Sequence, residues 1–247
     1  MDTTNYVLRF TIIMTVISSL ALAGMFYATK PASDKNEIAF NKRAILSAVG
    51  THLEKPLADM SDQEVLDVFS SQMEQRVLNM KGEVQEGIQA QNVDLAQEKK
   101  KPEADRLLPL YIFTAKDGKK YYLLSMRGNG LWDEIWGTLA LEGDLKTVAG
   151  ASFDHKGETP GLGAEIKDNP AFPAQFIDKK IYTDAGDFVS IVVRKGGAVN
   201  KQYEVDAVSG ATITSNGVTA MIRKGLQNYQ PYLDKLRKEN GAGTSMR

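Results

Sequence analysis

Nineteen consecutive residues without a charge, Phe10 to Ala28 (FTIIMTVISSLALAGMFYA), constrain this chain more than any other feature. Their length matches the ~20 apolar residues a helix needs to cross a bilayer core. A cleaved signal peptide is the competing reading, since Arg9 precedes the run and small residues follow it. The run exceeds the ~7–15 residues of a signal core, however, and Met25-Phe26-Tyr27 is a poor cleavage site. Tyr6 and Tyr27 flank the run as interfacial aromatics do. The expectation is an uncleaved anchor over 10–28 behind a short tail, 1–9. Within the span, Ser18, Ser19, Ala21, Ala23 and Gly24 suit close packing against other membrane helices. Arg9 lies before the span, while Lys30, Lys35, Lys42 and Arg43 follow it. A count of positive charges therefore leaves the following domain in the cytoplasm, although long domains translocate largely regardless of charge.

The rest of the 247 residues suffices for one good core, with a smaller region appended. A net charge of −1 with 25% charged residues gives no sign of a nucleic-acid partner. The absence of cysteine removes disulfides, thiolate metal sites and cysteine nucleophiles together. The histidines, His52 and His155, lie far apart in sequence, so no histidine-based metal site is expected.

Residues 29–105 read as a helical and linker region. Ser61-Asp62-Gln63-Glu64 is a capping box, and Val65, Leu66, Val68, Phe69, Met73, Val77 and Leu78 form an apolar stripe behind it. From Gly82 to Lys101 the chain is polar and reads as a surface segment. Strand patterns dominate from Leu107. Leu108–Ala115 and Lys120–Met126 flank Asp117-Gly118, a strong hairpin signal. Glu134–Leu141 and Lys146–Phe153 form a second pair, and Phe188–Arg194 (FVSIVVR) reads as a further strand. Pro170–Ile177 suggests a short helix. The expected fold is α+β: a transmembrane helix, a helical segment, then an antiparallel-sheet domain with packed helices over 106–240 and a tail, 241–247.

Three short segments carry chemistry. In Asp206-Ala207-Val208-Ser209-Gly210-Ala211-Thr212-Ile213-Thr214-Ser215, small residues and hydroxyls crowd a turn between a short strand (Gln202–Val205) and an amphipathic helix. That helix is expected to start at Thr214 or Ser215 and run to about Tyr229, with Val218, Met221, Ile222 and Leu226 on its buried face. Its N-terminus would suit a phosphate. Local physics is served as well, and more commonly, by an ordinary junction capped by hydroxyls. The second segment is Glu158-Thr159-Pro160-Gly161-Leu162-Gly163, whose Pro-Gly suits the centre of a type II turn. The third is Gly128-Asn129-Gly130-Leu131-Trp132.

Together, and in this order, the three segments resemble the FMN-binding domain family of membrane redox complexes. That family is represented by the C subunit of the sodium-translocating NADH:quinone oxidoreductase and the G subunit of the Rnf complex. The resemblance covers almost the whole chain and leans toward the sodium-translocating oxidoreductase, given the helical insert and overall length. It implies that FMN is held covalently by a phosphoester on Thr212. It also implies a separate magnesium-dependent flavin transferase as a transient partner, for a threonine hydroxyl without an adjacent base is a poor nucleophile. Ser209, Gly210 and Ala211 would shape the loop. Thr159, Gly161, Leu162 and Gly163 would meet the flavin ring, with Leu162 as an apolar lid. Glu158 would bond the ribityl chain or cap its own turn. Lys195 would place positive charge near the flavin or be an exposed strand-end lysine. Trp132 would stack on the ring, although a half-buried core tryptophan is the better reading of it. His155 reads as a loop or surface histidine. The implied setting is a bacterial inner membrane, with the flavin domain periplasmic, against the charge count.

The chain shows no dinucleotide fingerprint, metal cluster or acid–base constellation, so NADH would be oxidised elsewhere in such a complex. The implied role is electron relay toward quinone, coupled to sodium export, with no catalytic residue of the chain's own. Rival readings are an Rnf-type electron-transport protein, an anchored binding module without flavin, and a flavoenzyme acting alone on a diffusible substrate.

Overall fold

The computed structural model of the chain describes residues 3–244. Residues 1–2 of the expected N-terminal tail and 245–247 of the expected C-terminal tail lie outside the described residues. The chain opens with helix α1 (Thr3–Leu46), which contains Pro31. The helix is long and apolar enough to cross a membrane, and its apolar stretch is not buried against the rest of the protein. It does not stop where the apolar run stops. Its last turns dock on the domain, where Ala39 and Leu46 are buried. The Arg43 guanidinium donates to the carbonyls of Leu57 (2.5 Å) and Met60 (2.8 Å) and to the Asp62 carboxylate (3.0 Å).

The expected capping box is present. Ser61 accepts from the Glu64 N–H, the Glu64 side chain accepts from the Ser61 N–H, and α2 (Asp62–Gln72) follows. The apolar stripe behind it belongs to two elements. The helix ends at Gln72, and Met73–Asn79 is a strand, β1, paired along its whole length with β3 (Leu107–Thr114). Helical spacing was a poor guide there because strand partners, not local periodicity, decide a half-buried segment. The polar stretch that follows holds β2 (Val84–Gln85) and a single helical turn, α3 (Leu95–Glu98).

With β4 (Lys120–Asn129), β5 (Glu134–Leu141) and β6 (Val148–His155), these strands form one antiparallel sheet in the order β2-β1-β3-β4-β5-β6. Strand alternation sends side chains to both faces, and both faces are covered. Tyr111, Phe113, Tyr121 and Leu123 pack toward the end of α1 and toward α2, with Leu46, Val49, Val65 and Phe69. Leu110, Ile112, Leu124, Met126, Ile135 and Leu139 pack on the other side. There they meet the C-terminal helix and a loop-rich layer carrying α4 (Glu165–Asp168) and α5 (Ala171–Ala174).

Phe188–Arg194 is not a continuous strand. Ser190 has φ +64°, and the N–H groups of Val189 and Ser190 both donate to the Ile181 carbonyl. Only β7 (Val192–Arg194) remains, paired in parallel with β8 (Glu204–Asp206). The free edge of this ribbon is closed by the C-terminal helix, since the Val193 N–H donates to Thr219 Oγ1 at 2.9 Å.

That helix, α6 (Thr212–Thr244), lies along β4. Val218, Met221, Ile222 and Leu226 are buried as expected, while the helix runs well beyond Tyr229, through Pro231. Tyr229 is wholly buried, and its hydroxyl reaches the carbonyls of Pro109 (2.6 Å) and Ser125 (2.9 Å). At the other end of the helix, a Cβ on Gly217 would collide with the Asn129 carbonyl oxygen. The first turns of α6 are thus pressed against the end of β4, where the Gly128–Trp132 segment begins.

Candidate functional site

The three segments singled out in the sequence meet at this end of the sheet. Thr159-Pro160-Gly161-Leu162 is a turn closed by the Leu162 N–H on the Thr159 carbonyl (3.1 Å), with Gly161 at φ +73° as a type II turn requires. The Leu162 side chain lies over Gly210, where a Cβ would stand 2.7 Å from Leu162 Cδ2. Gly210 also has φ +74°, so conformation and space both call for glycine there. The Trp132 indole N–H donates to Thr159 Oγ1 at 3.1 Å, which ties the third segment to the second.

At the centre is Glu158, buried with 5% of its surface exposed. Its Oε1 accepts from the N–H groups of Leu131 (2.9 Å) and Trp132 (3.0 Å), and its Oε2 accepts from the Thr214 hydroxyl (2.6 Å). Its own N–H donates to His155 Nδ1 at 3.2 Å, so His155, at the end of β6, is a structural acceptor and not merely a surface histidine. Burial alone would raise the Glu158 carboxyl. The hydrogen bonds from Thr214 and from the N–H groups of Trp132, Leu131 and Asp133 outweigh burial and hold it below the ordinary carboxylate range. The carboxylate thus bonds to the third segment and to α6, and to no group of its own turn among the described residues.

Helix α6 begins at Thr212, two or three residues earlier than expected. The Ser215 N–H donates to the Ala211 carbonyl, which makes Ala211 the cap residue, and alanine has no side chain with which to cap. The hydroxyls expected to cap are engaged elsewhere. Thr214 donates to Glu158, and Ser215 accepts from the Val208 N–H (3.3 Å). The N–H groups of Thr212, Ile213 and Thr214 have no protein acceptor among the described residues. These are the orphan donors of a 33-residue helix, left open beside the Thr212 hydroxyl.

Around this open turn the surface is apolar. Trp132 is 70% exposed, which overturns its reading as a half-buried core residue: the Glu158 contact takes its backbone, and the indole is left outside. Leu131, Leu162 and Ile213 are also exposed, at 46%, 42% and 57%. Ser209 and Gly210 are exposed, Ala211 is buried, and Thr212 is half-buried. Lys195 stands exposed in the turn after β7, whose last residue, Arg194, pairs with Asp206. Asp206 in turn accepts the Ala198 N–H at 2.7 Å, which fastens that turn to the start of the threonine segment. Sequence reasoning missed Leu131, Ile213 and the Thr214–Glu158 bond. The clue to the last was glycine at 130 and 163, because a Cβ at either position would fall on a Glu158 carboxylate oxygen. An open phosphate-sized donor set beside a hydroxyl, next to exposed aromatic and aliphatic side chains, fits a flavin mononucleotide. Among the described residues no group of His, Asp or Glu is placed to hold a metal ion.

Residues 130–227 match the sequence family described as the FMN-binding domain. The fold and site accordingly define an FMN-binding domain carried behind an apolar N-terminal helix. The C subunit of the Na(+)-translocating NADH-quinone reductase of Pseudomonas aeruginosa is 32% identical, over 96% of this chain and 97% of that protein. Its counterpart in Neisseria meningitidis serogroup A is 31% identical, over 91% of each chain. The crystal structure of the corresponding protein from Parabacteroides distasonis superposes with a TM-score of 0.72 at 33% identity, covering 83% of this chain and 96% of that one. NqrC from Shewanella oneidensis, at 24% identity and a TM-score of 0.70, shares the fold. The chain belongs to the family of the Na(+)-translocating NADH-quinone reductase C subunit, and as such is one component of an oxidoreductase complex.

Proposed function

We propose that this protein is the flavin-bearing electron relay of a redox-driven sodium pump, with FMN joined to the Thr212 hydroxyl by a phosphoester. The observation that carries the reading is the uncapped start of α6. Three free N–H groups and the Thr212 hydroxyl stand together, framed by Trp132 and Leu162. The N–H groups of Thr212, Ile213 and Thr214 would hold phosphate oxygens. Ser209, Gly210 and Ala211 shape the approach, and Thr159, Gly161, Leu162 and Trp132 face the ring, whereas Gly163, expected to meet it, is buried against the Glu158 carboxylate. Lys195 supplies positive charge nearby. Bound there, FMN supplies the redox chemistry, and the chain holds and tunes it. Electrons taken from NADH elsewhere in the complex would pass through this site toward quinone.

Attachment needs help. The Thr212 hydroxyl has no hydrogen bond to a carboxylate or imidazole among the described residues, so no internal base activates it. In the proposed step a flavin transferase removes the hydroxyl proton. The Thr212 oxygen bonds to the FMN phosphorus of FAD, the pyrophosphate linkage breaks, and AMP leaves. In this reading the apolar span of α1 anchors the protein among its partners in the membrane, with the flavin domain on the periplasmic side. Intact-mass spectrometry of denatured wild-type and Thr212→Val protein, each co-produced with an active transferase, tests the attachment. Wild type should gain one FMN less water and the variant nothing. An unmodified wild type would overturn the assignment.

A further inference from the structure

We propose that Glu158 is a positioning residue for the FMN site: its carboxylate fastens the first turn of α6, through Thr214, to the Trp132 loop and so holds the indole beside the uncapped helix start. The inference rests on the reading of Thr212 as the flavin site, but the geometry behind it is independent of the cofactor.

Glu158 is the link common to all three segments. Through Oε1 it holds the backbone of Leu131 and Trp132, and through Oε2 it holds the Thr214 side chain in the first turn of the helix. Its own chain continues directly into Thr159, which receives the Trp132 indole N–H. The carboxylate fits because Gly130 and Gly163 have no Cβ; on Gly163 a Cβ would also stand 2.7 Å from Thr214 Oγ1. Thr214 lies in the third position of α6, so its bond to Glu158 fastens the first turn of the helix. Donation to Glu158 fixes the Thr214 side chain, and the helix start is open because its cap residue, Ala211, has no side-chain acceptor. The helix start therefore stays available to a phosphate, and the indole is held at the rim of the same opening. Glu158 acts through Thr214 and Trp132 and need not touch the flavin.

Glutamine can imitate this arrangement. Its amide oxygen can accept from the Leu131 and Trp132 N–H groups. Its NH2 can donate to Thr214 Oγ1, because a hydroxyl accepts as readily as it donates. Alanine cannot imitate any of it. The test uses full-length protein in detergent, co-produced with the transferase, in a Trp136→Phe background that leaves Trp132 as the only tryptophan. Two readouts are taken below the melting temperature of every variant: Trp132 fluorescence anisotropy without flavin, and visible circular dichroism of the attached flavin. The expected result is loss of both signals in E158A and their recovery in E158Q. Should E158A fail to fold, Thr214→Val removes the helix link alone and should still lower the flavin dichroism.

Anisotropy and dichroism in folded E158A equal to wild type would overturn the proposal, as would an unaltered dichroism in Thr214→Val. Wild type without attached flavin would reject the Thr212 assignment instead, while the anisotropy readout would still decide the role of Glu158.

Discussion

Glu158 carries its charge in a place that excludes most water, and it is tolerated because every neighbouring donor points at it. Burial and hydrogen bonding oppose one another in setting its acidity, and hydrogen bonding wins. A carboxyl whose acidity is strengthened by folding stabilises the folded state above the unfolded value, about 4.3 for glutamate. That stabilisation disappears as pH falls through the lower folded value. Wild type should therefore exceed E158Q in stability by a constant margin above about pH 5, and the margin should shrink below about pH 4. Urea unfolding of both proteins across this range checks the sign; a margin that grows on acidification would contradict it. Trp132 illustrates the complementary lesson at this scale. A tryptophan in a strand-rich segment is ordinarily a packing residue, but its backbone is claimed by Glu158 and its ring is left at the surface, bonded to Thr159.

Among the elements, two helix starts show opposite uses of the same chemistry. Helix α2 is closed by a reciprocal box, and the Glu64 carboxyl, bonded by the Ser61 N–H and by Lys55, is pushed down to about 2. Its contribution persists through mild acid and fades only as pH falls toward that value. Replacing Ser61 with alanine should cost about 1 kcal/mol, read as a lower thermal midpoint, with no effect on FMN attachment. Helix α6 has equally good hydroxyls near its start, yet it is left open because the cap position falls on Ala211, while Thr214 and Ser215 lie inside the first turns and bond to Glu158 and Val208. The difference between a closed and an open helix start is thus a matter of which residue falls at the cap, Ser61 in one and Ala211 in the other. Helix α1 likewise does two jobs: its first half is apolar and unpacked, and its last turns belong to the domain core.

For the whole molecule, that dual character makes the boundary between anchor and domain a testable quantity. A chain beginning at Lys35 keeps Ala39, Arg43 and Leu46, and should be monomeric without detergent and fold cooperatively. A chain beginning at Leu53 loses Leu46, Ala48 and Val49, all buried against the sheet. It should melt at a markedly lower temperature, since each large buried aliphatic side chain is worth about 2 kcal/mol. Equal melting temperatures for the two truncations would show that the end of α1 adds nothing to the core. The sheet itself is covered on both faces, so the proposed flavin site lies at the sheet's end, where loops from three regions of the chain converge.

The span, the capping box, the two hairpins and the buried face of α6 were legible in the sequence, because each follows from a period, a turn dipeptide or a cap within a few residues. The three segments of the site were legible as short strings of glycine, hydroxyl and aromatic residues. Local signals did not reveal that Met73–Asn79 is a strand, that Ser190 breaks the next one, or that α6 starts at Thr212. Each of those depends on a partner outside the local pattern: β3 for β1, the Ile181 carbonyl for the backbone around Ser190, and the Ala211 carbonyl for the start of α6, whose Thr214 hydroxyl goes to distant Glu158. Sequence alone determined which groups this protein has to work with. Tertiary structure decided which donors remain unpaired, because a hydrogen bond made to a distant residue is one that a neighbour no longer receives.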